Sequence, residues 1–313
     1  MASLALSTEQ ATAGLRALVT VAGADGERST PELRFIETAA KALRLDGVDV
    51  SALTPIEPDE LGRVLETRAH RELAIQAMIL TTLLDGHATE DEAGEVERFA
   101  RALDVDEPRV KNLRQLAEGH TRVMWLDLAR RSFARPIFER ALAANGLRGV
   151  WKIVGPMIGL AKDPDLARRY NDLGKLPEGT LGRAYWEFIV LNELGFPGEG
   201  VVAEDGVWHD MTHVLAGYGT DPDGEVQVVS FIAGYRREDP FFWLFTIALQ
   251  FHLAIKVSPY SEGRTGHFDP PMVLRALERG AALRRDLSDG WDYWPELSRP
   301  LDDVRRDLGV PPP

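Results

Sequence analysis

The chain has 313 residues, of which 44% are hydrophobic and 27% are charged; this is the composition of a soluble globular protein, and its length exceeds what one core usually serves, which predicts two domains. The formal net charge of -13 argues against binding to nucleic acids, because phosphate backbones repel an acidic chain. The absence of cysteine excludes disulfides, cysteine nucleophiles, iron–sulfur clusters and cysteine-ligated zinc.

Neither the start of the sequence nor its most apolar run predicts a membrane-targeting segment. Residues 1–12 contain no basic stretch and no long apolar stretch, so they predict no signal peptide. The run at 241–255 is too short to span a bilayer and includes Gln250 and His252. We therefore expect a buried helix there, with His252 as a hydrogen-bonded core residue. We expect a cytoplasmic protein and leave peripheral contact with the inner face of the membrane open.

The first third of the chain contains an internal repeat. Segments 25–32 and 85–92 both read Asp-Gly, two residues, Ser or Thr, two residues, Glu. The last four positions of each segment form a capping box, in which the hydroxyl and the glutamate satisfy free N–H groups at a helix start. The Asp-Gly pair before each box is a turn signal. Each copy therefore predicts a helix, a turn and a second, capped helix.

Apolar residues at helical spacing flank both turns. Those before the turns are Leu15, Leu18, Val19 and Ala22 in the first copy, and Ile75, Ile79, Thr82 and Leu83 in the second. Those after the turns are Leu33, Ile36, Ala40 and Leu43, and then Val96, Phe99, Ala100 and Leu103. Two helical hairpins packed together make a small all-α domain, with residues 46–59 as the loop between the copies.

This double pattern resembles the tellurite-resistance TerB-like family, over roughly residues 7–118. The resemblance implies a helical domain over residues 1–120 that binds a divalent metal through acidic residues. The residues themselves favour a simpler interpretation, in which the acidic side chains serve turns and caps. The side chains in question are Asp25, Glu32, Asp85 and Glu92. Neither copy has the Asp-x-Asp-x-Asp-Gly spacing of an EF-hand.

The second predicted domain covers residues 121–313. Residues 120–145 predict one or two helices that join the halves. Aromatic residues, proline and glycine are more frequent beyond them, and Pro164 and Pro271 suit the first turns of helices. The further predicted helices cover residues 150–160, 164–171, 181–194, 207–218, 241–255 and 271–288.

A cluster of metal-ligand residues lies in the second half. His209 and His213 are four residues apart, a spacing that places both imidazoles on one face of a helix. Asp210 adjoins the first histidine, and Glu225 follows the second after eleven intervening residues, so it can return on the next element. Two imidazoles with carboxylates and no thiolate form a ligand set for zinc or non-haem iron.

The sequence alone does not decide whether the segment that carries Glu225 is a helix or a strand. Asp221 as an N-cap followed by Pro222 favours a helix start, whereas residues 226–229 have strand propensity. Gly219 can end the preceding histidine helix in a left-handed cap.

The ligand set also leaves alternatives. His209, His213 and Glu225 alone resemble a facial triad, which suits iron and oxygen chemistry. Asp210 as a fourth ligand suits a closed zinc site, or Asp210 orients a ligating histidine without binding the metal. A further alternative is that the cluster binds no metal and that His213 is a hydrogen-bonded core residue.

The spacing His-Asp-x-x-His-x(11)-Glu is similar to the signature of the coenzyme Q (ubiquinone) biosynthesis protein Coq-four family. Residues 176–188 resemble the family's Leu-Pro-x-x-Thr-x-Gly-x-x-Tyr-x-x-Phe segment, and residues 300–309 resemble its usual C-terminus. The resemblance runs from about residue 134 to the end. The four defined positions of the signature are His209, Asp210, His213 and Glu225.

The resemblance implies an all-α fold with Glu225 on a helix, a divalent metal held by all four signature residues, and a hydrophobic groove for a prenylated quinone precursor or another isoprenoid lipid. Members of the family act as scaffolds for other quinone-biosynthesis enzymes and as catalysts of oxidative decarboxylation at C1 of the head group. The N-terminal helical domain departs from the family, which leaves the substrate and the pathway of this chain open.

Two functions therefore compete. The first is a metal-dependent enzyme that acts on a prenylated benzoquinone precursor, with no residue yet assigned to catalysis. The second is a non-catalytic, lipid-binding scaffold whose metal stabilises the fold, and a homodimer is compatible with either function. A His-Asp phosphohydrolase ranks last because its further upstream histidine has no counterpart between His120 and His209. No Walker loop, dinucleotide-binding glycine motif or Gly-x-Ser-x-Gly elbow is present.

Overall fold

The computed structural model describes residues 6–131, 146, 162–199, 204–257 and 261–312. These residues form α-helices and short 3-10 turns, and no strand or sheet occurs within them. The predicted all-α fold is thereby confirmed. The fourteen α-helices of the described ranges are α1 (Thr8–Ala22), α2 (Thr30–Ala42), α3 (Pro58–Val64), α4 (Arg68–Thr81), α5 (Glu90–Ala102), α6 (Pro108–Ala117), α7 (Thr121–Arg131), α8 (Pro164–Asn171), α9 (Leu181–Leu191), α10 (Val207–Ala216), α11 (Pro222–Tyr235), α12 (Pro240–Phe251), α13 (Pro270–Ala281) and α14 (Leu301–Leu308).

Several predicted helix ends are wrong by a few residues. Helix α9 ends at Leu191 instead of residue 194, because Glu193 adopts a left-handed backbone with φ 55°. Helices α12 and α13 also end earlier than predicted, at Phe251 and Ala281. The stretch 46–59 is not only a loop, since Pro58 occupies the first turn of α3. The helix predicted over 150–160, and the part of 120–145 beyond residue 131, lie outside the described residues.

The chain divides into two compact units. The first unit consists of Met1–Ala129 together with Phe245–Met272, and the second consists of Arg130–Leu244 together with Val273–Pro313. The predicted boundary between residues 120 and 121 stays a prediction.

Both predicted capping boxes are confirmed in the first unit. The Ser29 hydroxyl accepts a hydrogen bond from the backbone N–H of Glu32, whose carboxylate accepts one from the backbone N–H of Ser29 at 2.7 Å. Thr89 and Glu92 form the same pair at the start of α5, with the returning bond at 2.9 Å. The Asp-Gly turns before them are also equivalent, because the aspartate of each accepts a bond from the N–H two residues later.

The two capping glutamates are buried against each other, Glu32 at 3% and Glu92 at 1% exposure. Burial, which outweighs the hydrogen bonds from Thr89, and the neighbouring Glu32 carboxyl raise the pKa of Glu92 to about 8. Burial also raises the pKa of Glu32. Glu92 is therefore protonated at neutral pH, and the contact between the two buried carboxyl groups links α2 to α5.

The apolar run at 241–255 forms most of α12 and the turn after it. His252 is hydrogen-bonded as expected, with its Nε2 2.9 Å from the carbonyl oxygen of Leu84 in the same unit, but it is half-buried and so is not the core residue that the sequence predicted. In the described part of the chain, no helix has the length and apolar character needed to cross a bilayer.

In the second unit, α11 and α13 pack backbone against backbone at two glycines. A Cβ atom on Gly280 would lie 1.9 Å from the carbonyl oxygen of Phe231, and one on Gly234 would lie 2.2 Å from the carbonyl oxygen of Leu277. Only glycine permits so close an approach. This contact fixes α11, the helix that carries Glu225, against the C-terminal part of the unit.

Candidate metal centre

Helix α10 carries both predicted histidine ligands, one turn apart. It ends at Gly217, which adopts the left-handed conformation with φ 76° and donates its N–H to the carbonyl oxygen of His213 at 2.8 Å. The prediction that Gly219 forms this cap is therefore wrong. Gly217 is reached first, and without a Cβ it turns the chain at no steric cost.

Helix α11 places Glu225 beside the two histidines. Its N-cap is Asp221, whose carboxylate accepts a hydrogen bond from the N–H of Gly224 at 2.6 Å, and Pro222 follows in the first turn. The strand alternative for residues 226–229 is therefore wrong, and the helix implied by the resemblance is present. The valines at 226 and 228 are fully buried, so packing outweighs their strand propensity.

The two helices bring three ligand atoms together. The Nε2 atoms of His209 and His213 lie 3.3 Å apart. The Glu225 carboxylate lies 3.6 Å from Nε2 of His209 and 3.5 Å from Nε2 of His213. Bonds of about 2.0–2.2 Å to one tetrahedral ion would separate neighbouring ligand atoms by about 3.3–3.6 Å. Among the described residues, only this trio has three ligand groups close enough to hold a metal ion.

The trio is closed on one side and accessible on the other. The side chain of His213 is 2% exposed, whereas those of His209 and Glu225 are 28% and 23% exposed. A site with three protein ligands and an accessible face leaves a position for water or substrate, as catalytic metal sites do.

The protonation states favour a cation at this site. Burial and the neighbouring His209 lower the pKa of His213 to about 4, so this imidazole is neutral at pH 7. Burial opposes ionisation of Glu225, but the hydrogen bond and charge of His209 prevail and lower its pKa. Burial likewise opposes protonation of His209, but its hydrogen bond and attraction to Glu225, with the attraction of Asp210, raise its pKa. A metal ion bound here would replace a proton between His209 and Glu225.

Two contacts hold the ring of His213. Phe188 of α9 stacks on it, with ring centroids 5.3 Å apart and an interplanar angle of 26°. The Nδ1 atom lies 3.3 Å from the carbonyl oxygen of Tyr218. Because a carbonyl oxygen only accepts, Nδ1 carries the hydrogen and Nε2 keeps a lone pair that is available to bind a metal ion. Phe188 lies in the stretch 176–188 that resembles the Coq-four family, but nothing in the sequence places it against His213 or points to the carbonyl group of Tyr218.

Asp210 is not one of the three converging groups. It follows His209 on α10, so its side chain leaves the helix on a different side. Burial and the charge of Glu225 raise its pKa to about 6, against the opposing effect of His209. Burial and the Asp210 carboxylate raise the pKa of Tyr185, whose buried hydroxyl has no hydrogen-bond partner among the residues that the structure describes. Asp210 as a metal ligand stays a prediction.

A tryptophan side chain lies next to His209, the more exposed of the two histidines, and a second tryptophan packs against the first. The ring of Trp208 lies 6.1 Å from that of His209 and 5.8 Å from that of Trp243 on α12. The guanidinium of Arg236 lies 5.5 Å from the Trp243 ring centroid. Of these two tryptophans, Trp208 is partly exposed, whereas Trp243 is buried beside the Arg236 cation.

Comparisons with known proteins add little to this description. No protein-family model matches the chain, and no curated protein matches it. Among solved structures, the chain is similar to a protein of Nostoc punctiforme PCC 73102 that is provisionally named a ubiquinone biosynthesis protein. The two chains are 18% identical with a TM-score of 0.33, over 78% of this chain and 98% of the other. Both family resemblances therefore stay predictions from sequence, and the assignment of the site depends on its own geometry.

Proposed function

We propose that His209, His213 and Glu225 hold a divalent metal ion, zinc or iron, and that this centre acts on a prenylated quinone precursor in ubiquinone biosynthesis. The convergence of the three ligand atoms, 3.3–3.6 Å apart, carries the metal assignment. The class of substrate follows from the sequence resemblance to the Coq-four family.

The donor set fits the proposed ions. Imidazole nitrogen and carboxylate oxygen are ligands of both zinc and non-haem iron, and the described trio contains no thiolate. The burial of His213 keeps it neutral, and the fixed tautomer aims Nε2 at the other two ligands. Asp210 is available to complete the set or to orient His209.

The chain's own residues would bind and orient the substrate. The exposed sides of His209 and Glu225 give it access, while buried His213 keeps water from the opposite side. Trp208, which is partly exposed beside His209, offers a ring face on which an aromatic head group can stack, and the buried Trp243 packs edge-on against it. When bound, zinc supplies Lewis acidity, and iron additionally supplies chemistry with dioxygen.

The reaction that we propose for this site is oxidative decarboxylation of the head group. The ring carboxyl leaves as carbon dioxide, and a hydroxyl takes its place with one oxygen atom from dioxygen, which is the oxidant. The other oxygen atom leaves as water, with two protons and two electrons from an external two-electron reductant. This reaction requires an iron centre with an open position. A zinc centre would instead agree with a lipid-binding scaffold, and the additional helical unit, a candidate adaptor for partner enzymes, favours that second function.

Elemental analysis of the purified protein after reconstitution with zinc or ferrous iron tests the metal assignment. We expect about one equivalent of metal in the wild type and in His87→Ala, a control in which the histidine is exposed. We expect its loss in His213→Ala and in Glu225→Gln. Equal retention in all four proteins, or none in the wild type, would overturn the proposal.

Incubation of the iron-loaded protein with a prenylated hydroxybenzoate, dioxygen and a two-electron reductant then separates the two functions. An enzyme yields the hydroxylated product without the carboxyl, which mass spectrometry detects. A scaffold binds the probe and leaves its mass unchanged.

A further inference from the structure

The C-terminal end of the histidine helix leaves three backbone carbonyl groups without helical partners. Residues 214–216 form the last turn of α10, and the cap at Gly217 satisfies only the carbonyl of His213. The residues of this turn are buried, at 8%, 1% and 0% exposure. Their carbonyl oxygens therefore need donors from elsewhere in the unit.

Arg305 of α14 supplies two of these donors. Its Nε donates to the carbonyl oxygen of Leu215 at 3.0 Å, and its Nη2 donates to that of Val214, also at 3.0 Å. The remaining nitrogen, Nη1, pairs with Asp302 at 3.2 Å. The planar fork of the guanidinium thus binds two successive carbonyls at once, which a lysine side chain cannot do.

Arg279 of α13 supplies the third donor. Its Nη2 donates to the carbonyl oxygens of Ala216 at 3.0 Å and Pro311 at 2.9 Å. The same guanidinium lies 5.0 Å from the ring centroid of Tyr218 and 5.7 Å from that of Phe231. It therefore contacts the chain on both sides of Gly217.

These contacts lead directly to a proposed metal ligand. Tyr218, against whose ring Arg279 packs, is the residue whose carbonyl oxygen faces Nδ1 of His213. The two arginines hold the carbonyls before Gly217 and the side chain after it, so they fix the turn that this carbonyl belongs to. Positive charge at this end of α10 is also favourable to the helix dipole.

We propose that Arg305 and Arg279 are positioning residues that fix the turn 214–218 and thereby hold His213 in the Nδ1–H tautomer, with Nε2 free for the metal. The effect of the two arginines on metal binding rests on the proposed function. Their effect on the tautomer of His213 does not, because the tautomer is a property of the metal-free protein.

Three substitutions test this role: Arg305→Met, Arg305→Lys and Arg279→Met. Arg306→Met is the matched control, because Arg306 lies on the same helix with its side chain 73% exposed and paired with Asp303. Nitrogen-15 NMR of the metal-free protein reports the tautomer of His213, whose signals are assigned by their loss in His213→Gln. Competition with a chromophoric chelator reports the affinity for zinc.

We expect a single Nδ1–H tautomer in the wild type and in the control. We expect a mixture of tautomers in both methionine variants, with zinc affinity about 10–100-fold lower, the range seen when a group that orients a metal ligand is removed. Arg305→Lys should fall in between because an ammonium group reaches only one carbonyl at a time. If Arg305→Met does not fold, Arg305→Lys and Arg279→Met decide the question by the same readouts.

A lower unfolding temperature with an unchanged tautomer and unchanged zinc affinity would overturn the inference and leave the arginines as helix caps. If the wild type binds no zinc while the tautomer still shifts in the variants, the proposed metal function fails and the positioning role stands.

Discussion

Replacing Glu92 with glutamine should make the first unit less sensitive to alkaline pH. Glu92 is 1% exposed and lies beside the buried Glu32, and its pKa rises from an ordinary 4.5 to about 8. Because the folded protein holds this proton more tightly than the unfolded chain does, the stabilisation is complete below the unfolded pKa. It is then lost as the pH rises through about 8.

The size of the effect follows from the same two values. Between about pH 5.5 and 8, titration of Glu92 should lower the free energy of unfolding by about 3 kcal/mol. Glutamine cannot ionise, keeps an oxygen to accept from the N–H of Thr89, and keeps an N–H to donate to Glu32. We therefore expect the stability of the variant relative to the wild type to increase by about 3 kcal/mol between pH 5.5 and pH 8.

Urea unfolding of the full-length protein, followed by circular dichroism across this range, measures the effect. Hydrogen exchange with mass spectrometry locates it to α2 and α5. Glu90→Gln is the control, since Glu90 lies on the same helix and is exposed. If Glu92→Gln and the wild type lose stability equally as the pH rises, or if the wild type gains stability, the buried carboxyl pair does not act as described.

Two further substitutions test other parts of the structure. Gly280→Ala should destabilise the second unit by about 1–3 kcal/mol or more, because its Cβ would meet the carbonyl oxygen of Phe231 at 1.9 Å; chemical denaturation measures this loss, and an alanine tolerated there would refute the close packing of α11 and α13. Gly14→Ala is its control, because Gly14 lies in α1 with no atom near the added Cβ, and should be neutral or stabilising. Asp210→Asn should retain stoichiometric metal with an affinity lower by about tenfold, whereas Glu225→Gln loses it; loss of all metal from Asp210→Asn in a zinc titration would show that Asp210 is an essential ligand.

Features that depend on residues a few positions apart could be predicted from the sequence. The capping boxes at Ser29 and Thr89 formed as expected, because the hydroxyl and the glutamate that form each box are only three residues apart. The three ligands of the candidate metal centre were also predicted, since two of them share a helical face and the third follows at the next helix start.

Features that depend on tertiary packing could not be predicted. The N-cap at Asp221 favours a helix, whereas the valines after it favour a strand. The segment forms a helix because Val226 and Val228 are buried by packing within the unit. Arg305 reaches the carbonyl of Leu215 across 90 residues of sequence, and no local pattern shows such a contact. Residues Phe245–Met272 belong to the first unit although they lie far from it in the sequence, and no local pattern predicts this.

X-ray absorption spectroscopy of the zinc-reconstituted protein tests the central claim most directly, because it reports the atoms bound to the metal. We predict two imidazole ligands with nitrogen at about 2.0–2.1 Å and oxygen ligands at about 2.0–2.2 Å. In His213→Ala, which we expect to lose the metal, this two-imidazole signal should be absent. A shell of oxygen atoms alone, or a spectrum that His213→Ala leaves unchanged, would place the metal elsewhere and contradict a centre formed by His209, His213 and Glu225.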